Sequence, residues 1–231
     1  MKVFAIGDLH LPGSLDKTMD MFGSHWEGHW DKIRMDWQKR VQPTDLVLLP
    51  GDISWAMKLE EAGQDLAEIH EMPGTKVMIR GNHDFWWSSL SKMFAALPPS
   101  ILPLQNQAHR VGDFVVCGTR GWTCPSDAAF KQEDKKIYDR EVGRLELSLK
   151  AAQKLSDQGT SLLAMIHYPP FNERREESGF TQLFREYGVR QVVYGHLHGK
   201  SLQFAFEGEL NGVSYTLVSC DHLGFKLKSI V

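Results

Sequence analysis

Asp8 and His10 stand two apart, Asp52 follows Gly51, and Asn82, His83 and Asp84 follow Gly81; His167 stands alone, and His196 and His198 are again two apart. Carboxylate, amide and imidazole make a mixed oxygen and nitrogen donor set, which suits borderline first-row cations better than calcium or an iron–sulfur cluster. None of the three Cys belongs to the set. Two ions about 3.5–4 Å apart need one carboxylate to bridge them and separate ligands for each sphere, and water between them ionises to hydroxide near neutral pH. Asp52, alone at its position, is the natural bridge. Singly these motifs are weak, since Gly-Asp is a turn signal and a lone His is more often a surface or satisfied core residue. Five in order, each where an apolar run stops, point to a two-metal site.

The runs are what must position them. Residues 3–6, 46–49, 77–79, 162–166 and 192–194 are short, continuous and apolar, the pattern of strands buried on both faces. In open α/β sheets ligands bind beyond the carboxyl ends of the strands, so the sequence sends two Asp, one Asn and several His to one rim. Amphipathic helices separate the strands. Leu59, Ala62, Leu66 and Ile69 step by three and four before Pro73-Gly74, and Tyr138, Val142, Leu145, Leu149 and Ala152 form a stripe that predicts a helix over 134–156. A further helix is predicted over 180–187, stopped by Gly188. A second group of strands reads as antiparallel hairpins, one turning at Gly112-Asp113 and one at Asn211-Gly212 between 203–210 and 213–218. Together these predict an α/β fold, two mixed β-sheets facing each other with helices outside. Residues 16–36, polar and rich in Gly, His and Trp, predict an ordered loop over the site as far as about Trp30.

The ordered motifs Asp-x-His, Gly-Asp, Gly-Asn-His-Asp, His and Gly-His-x-His, running from Asp8 to His198, resemble those of the calcineurin-like metallophosphoesterase superfamily. The resemblance implies a four-layer α/β/β/α sandwich. It also implies that Asp8, His10 and His198 hold a first metal, that Asn82, His167 and His196 hold a second, and that Asp52 bridges them. His83 is then catalytic and not a ligand. Trp-Glu-Gly-His at 26–29, Gly-Asp-Ile-Ser-Trp at 51–55 and Asn-His-Asp-Phe-Trp-Trp at 82–87 are similar to a bacterial branch of predicted phosphohydrolases. One departure matters. The phosphoprotein phosphatase branch continues its Gly-Asp with an Arg-Gly and carries Glu where Asp84 stands, whereas here Ile53-Ser54-Trp55 follows Asp52. A phosphate-clamping Arg is thereby lost, and protein phosphatase activity is disfavoured.

His83, one residue after a ligand, is placed to protonate a leaving oxygen or to stabilise charge developing on phosphorus. For Asp84 two readings stand open: it holds the other nitrogen of the His83 ring, or it caps a helix at 85–87. His25 and His29 read as solvated, and Arg174 and Arg175, among Glu173, Glu176 and Glu177, as a charged loop. The seven Trp cluster near the motifs; core packing is the default for most, and a stacking wall for a base or aromatic leaving group is the sharper reading.

At 231 residues with no Pro- or Ser-rich linker, and with ligands dispersed from 8 to 198, the chain 1–231 is expected to be a single metallophosphoesterase domain. A net charge of −3 argues against broad nucleic-acid binding, leaving a small-molecule phosphoester as the expected substrate. An odd Cys set without a CxxC, no signal segment and no apolar run of about 18 residues make the cytoplasm the expected location. The cofactors expected are two divalent ions drawn from Mn, Fe, Zn, Co or Ni. The reaction expected is hydrolysis of a P–O bond by metal-activated water. A diester is favoured over a monoester; the alternatives are a nuclease, a nucleotide-sugar or lipid pyrophosphohydrolase and, disfavoured because all seven ligand positions are filled, a catalytically silent scaffold.

Overall fold

The computed structural model describes residues 1–13 and 19–231. The first four strands, β1 (Val3–Ala5), β2 (Leu46–Leu49), β3 (Thr75–Met78) and β4 (Ile101–Pro103), pair in chain order and run parallel. The second sheet contains β5 (His109–Val111), β6 (Phe114–Thr119), β7 (Ser161–Ile166), β8 (Gln191–Tyr194), β9 (Gly208–Leu210) and β10 (Val213–Leu217). A short β11 (Lys228–Ser229) closes the first sheet antiparallel to β1. The orders are β11-β1-β2-β3-β4 and β5-β6-β7-β8-β10-β9.

Side-chain alternation shows how the layers stack. On β1 and β2, Val3, Ala5, Leu46 and Leu48 face a core shared with Val116, Leu163, Met165 and Val193 of the other sheet. Their neighbours Phe4, Val47 and Leu49 face away, onto α1 (His29–Arg40), α2 (Gly63–Glu71) and α3 (Leu90–Ala96) through Ile33, Trp37, Leu66, Ile69 and Met93. The outer face of the second sheet is covered by α4 (Gln132–Leu155) and α5 (Gly179–Glu186) through Tyr138, Leu145, Leu149, Phe180 and Phe184. Strands buried on both faces explain why the sequence shows continuous apolar runs. The molecule is an α/β/β/α sandwich. No helix among the described residues is long and apolar enough to cross a membrane.

Several expectations are corrected. The second group of strands is not simply antiparallel. The two hairpins form at the expected turns, but β6 pairs parallel to β7 and β10 parallel to β8, each inside the sheet. Of the strand expected over 203–210 only β9 forms, because Gly199–Phe204 winds into a 3-10 helix. The helix after Asp52 begins at Gly63, with turns before it. In the early segment, 3-10 turns at Met19–Phe22 and Ser24–Trp26 lead into α1, which starts at His29; residues 16–18 of that expected loop lie outside the described residues. His29 is buried and not solvated, its Nε2 bonded to the Leu9 carbonyl at 2.9 Å.

Candidate metal centre

Six strands, three from each sheet, deliver side chains to one rim. Asp8 follows β1, Asp52 follows β2, Asn82 follows β3, His167 follows β7, and His196 and His198 follow β8, while β10 leads to Asp221. The chain must turn sharply at each exit. Asp8, His10, Asp52 and His196 all have positive φ, of 58°, 46°, 52° and 73°, in the left-handed region where a Cβ is strained. Such strain in four donor residues is the signature of a functional constraint. Glycines make the close approach possible: a Cβ on Gly81 would run into the Asp52 carboxylate and one on Gly195 into that of Asp8.

Two donor groups result, Asp8, His10 and His198 in one and Asp52, His167 and His196 in the other, with the ligand atoms of each within 4.8 Å of one another. Asn82 Oδ1 joins the second, 2.7 Å from His167 Nε2 and 2.9 Å from His196 Nδ1. Asp52 Oδ2 lies between the groups, 3.8 Å from His10 Nε2 and 3.5 Å from His167 Nε2. Donors held at about 2.0–2.2 Å around one ion stand roughly 3.0–3.4 Å apart, a range bracketed by the observed separations of 2.7 Å up to 4.8 Å, so small side-chain adjustments would close each group on a cation. Tautomers agree. His167 Nδ1 donates to the Pro50 carbonyl at 3.0 Å, which leaves the Nε2 lone pair facing the Asn82 oxygen. Two acceptors this close repel unless positive charge lies between them. Nδ1 of His10 and Nε2 of His198 are buried without a hydrogen-bond partner among the described residues, a cost of about 1–3 kcal/mol per group if nothing binds there.

Charge tells the same story. Burial, with Asp84 and Asp8 nearby, holds the Asp52 carboxyl well above the usual carboxylate range. Burial would also raise Asp8, but the bond to His198 and the charges of His198, His167 and His10 win and lower it. Burial pushes His10 and His196 down to about 3, and lowers His167. At His198 burial opposes protonation, yet Asp221 and Asp8 outweigh it and raise the ring to about 10. Three imidazoles are thus kept neutral, and the burial that disfavours charge on Asp52 is the burden that a cation beside it would relieve.

The sequence profile of the family described as calcineurin-like phosphoesterase matches residues 1–200. The chain belongs to that family. Comparison with curated proteins by sequence gives no match. Among solved structures, TT1561 of Thermus thermophilus is similar with a TM-score of 0.60 and 12% identity, covering 99% of this chain and 97% of that one. The phosphopantetheinyl hydrolase of Mycobacterium tuberculosis is similar with a TM-score of 0.55 and 13% identity, covering 100% and 95%. At such identities the likeness is one of fold. As a calcineurin-like phosphoesterase the chain is a metal-dependent phosphoester hydrolase, in a family that is typically binuclear, and its two donor groups match that pattern.

Around the donors of this calcineurin-like phosphoesterase, His83 gives its backbone N–H to Asp52 Oδ1 at 2.8 Å while its ring stands 5.7 Å from that of His10 and 4.5 Å from that of Trp55. Asp84 takes neither expected role. α3 is preceded by Ser89, and the wholly buried Asp84 carboxylate accepts backbone N–H groups from Asp52, Ile53, Ser54 and Gly81 and the Trp86 indole. These bonds hold the Asp52 turn in place. Asp221, which the sequence reading missed, accepts from His198 Nδ1 at 2.8 Å, the carboxylate–imidazole pairing that orients metal ligands. Tyr168 lies against His196, their rings 4.1 Å apart. Of the Trp, Trp55 stacks on His10 at 4.8 Å and Trp26 stands 5.8 Å from His198, whereas Trp37 and Trp86 are core. Arg174 and Arg175 lie in a charged loop, Arg175 donating to the Gln203 carbonyl.

Proposed function

We propose that the chain, as a single domain spanning 1–231, hydrolyses a phosphodiester that carries an uncharged apolar or aromatic group. Asp8, His10 and His198 would hold one divalent ion and Asn82, His167 and His196 a second, with Asp52 shared between them. Manganese, iron, zinc, cobalt or nickel suits these donors. Such ions, when bound, supply Lewis acidity at the phosphoryl oxygens and an activated water. The chain's own part is to position and to move a proton. Asp84 and Asp221 fix Asp52 and His198, and His83 donates to the leaving oxygen.

The observation that carries the substrate reading is a cavity of about 320 Å³ beside the donors, lined among the described residues chiefly by Met19, Phe22, Trp26, Trp55 and the imidazoles of His10, His83 and His198, with Asp221 but no Lys or Arg among them. Its volume suits a small organic group. A monoester dianion needs cationic clamping that the described lining residues do not supply, while a diester bears less charge and a second organic group. The exposed Phe22, 55% accessible, also suits a pyrophosphate diester with a lipid chain, the second reading. Three buried, unbridged thiols fit the reducing cytoplasm that the composition suggests.

The test compares nitrophenyl phosphate with its bis-ester in metal-supplemented parent, Trp26→Ala and Trp55→Ala. Ring stacking is worth about 1–3 kcal/mol, roughly ten- to a hundredfold in kcat/KM if expressed in the transition state. The bis-ester should turn over faster in the parent and lose selectively in the variants. Faster monoester turnover, or equal loss on both esters, contradicts the reading.

A further inference from the structure

On the same rim, beside the donors, the exits of β3, β4 and β6 close around a second and chemically different cavity. Arg80 follows β3, Gln105 and Asn106 follow β4, Arg120 follows β6, and α4 contributes Glu141 and Arg144. Its volume is about 80 Å³, far below the roughly 300 Å³ at which organic-ligand sites begin, but enough for several water-sized groups. Three guanidinium groups face it against one carboxylate. Glu141 is 1% exposed and already engaged: Oε2 accepts from the Thr119 hydroxyl at 2.8 Å, and Oε1 takes Arg144 at 2.8 Å with Arg120 at 3.6 Å. That leaves positive charge in excess. Arg80 gives its Nε to the Asp84 carbonyl at 3.1 Å and forms no ion pair with any described residue. The Nε of Arg120 is buried without a partner among the described residues. Trp122 covers one face of the Arg120 guanidinium at 4.8 Å, fixing its plane.

Two guanidinium groups with unused donors, partly shielded from water around a small cavity, repel each other unless an anion separates them. Guanidinium forks match tetrahedral oxyanions in geometry as well as charge. We propose that Arg80, Arg120 and Arg144 form a binding site for a phosphate-like oxyanion, separate from the donor groups of the metal centre. The ligand is either free inorganic phosphate or a second phosphate group on the substrate's organic part. The site touches the centre through its backbone: Arg80 precedes Gly81-Asn82, and the Arg120 carbonyl accepts the N–H groups of His167 and Tyr168.

The experiment titrates inorganic phosphate calorimetrically into the metal-loaded full chain, in the parent, Arg144→Gln and Glu141→Gln. Arg144 lies on an outer helix and Glu141→Gln keeps the Thr119 bond, so neither alters the donor groups. One phosphate-binding event should weaken roughly tenfold in Arg144→Gln and tighten in Glu141→Gln. A folding defect would weaken both, so the opposite signs are diagnostic. Absence of any event with that pair of responses overturns the proposal. Kinetics then separate the sources. With a nitrophenyl diester that bears an added phosphate and one that does not, a substrate-phosphate site makes Arg144→Gln raise KM for the first alone. A free-phosphate site leaves both KM values unchanged and removes the effect of added phosphate on turnover.

Discussion

His198 reaches the donor group through a ring whose other nitrogen is held by Asp221 at 2.8 Å, and the Nε2 that faces Asp8 at 3.5 Å has no hydrogen-bond partner among the described residues. Removing the orienting carboxylate frees the ring to rotate and lowers its basicity. Asp221→Ala should therefore weaken metal affinity about 10–100-fold, the usual effect of deleting such a partner, with the fold intact. A chelator-competition titration reads this directly, and unchanged affinity would refute the orienting role. Asp84 differs in kind. Its five N–H partners make it part of the backbone's architecture, so its loss is expected to cost stability as well as metal.

The turns at the strand ends carry the next level. Gly81 and Gly195 lie where a Cβ would meet the carboxylates of Asp52 and Asp8, so Gly81→Ala and Gly195→Ala should each displace a ligand. Metal content below that of the parent in a protein with unchanged circular dichroism is the expected result; full occupancy would contradict it. α2 is tied to the Asp52 turn by Ser54 Oγ donating to Asp65, whose carboxyl burial raises to about 6. An unfolded Asp titrates near 3.9, so the contribution of Asp65 is most favourable below that pH and is lost as pH rises through about 6. Asp65→Asn keeps the acceptor and removes the charge. It should raise Tm by a few degrees at pH 8, on the order of 1 kcal/mol, and lose that advantage at pH 4; an equal difference at both pH values would rule the charge out. At this scale the sequence was most legible where strands are buried on both faces, since Val3 to Ile6 or Leu162 to Ile166 admit no other reading. Asp221 escaped because Asn211-Gly212 announces a hairpin, and a hairpin strand gave no reason to look for a site at its far end. The parallel pairing of β10 with β8, which depends on residues more than twenty positions away, is what brings Asp221 to the rim. The Trp were indistinct for a similar reason: burial separates Trp86 from Trp55, and neither spacing nor composition reports it.

Across the whole molecule, the centre exists only where both sheets are present. β1, β2 and β3 bring Asp8, Asp52 and Asn82, while β7 and β8 bring His167, His196 and His198, and the shared core of Val3, Leu48, Leu163 and Met165 holds the two halves in register. Asp52 lies where the halves meet, with His10 and His167 at 3.8 and 3.5 Å. The proposed division of labour gives it both ions and gives His83 neither, so the two residues fail in different ways. General acid assistance is typically worth about 10²–10⁴-fold in rate. The most direct measurement is metal content per chain, by elemental analysis after saturation and desalting, in the parent, His83→Ala and Asp52→Ala, with circular dichroism to confirm folding and turnover recorded alongside. Two ions are expected in the parent and in the slow His83→Ala variant, and loss of both from a folded Asp52→Ala. Two ions retained by Asp52→Ala, or ions lost from His83→Ala, would contradict that division of labour.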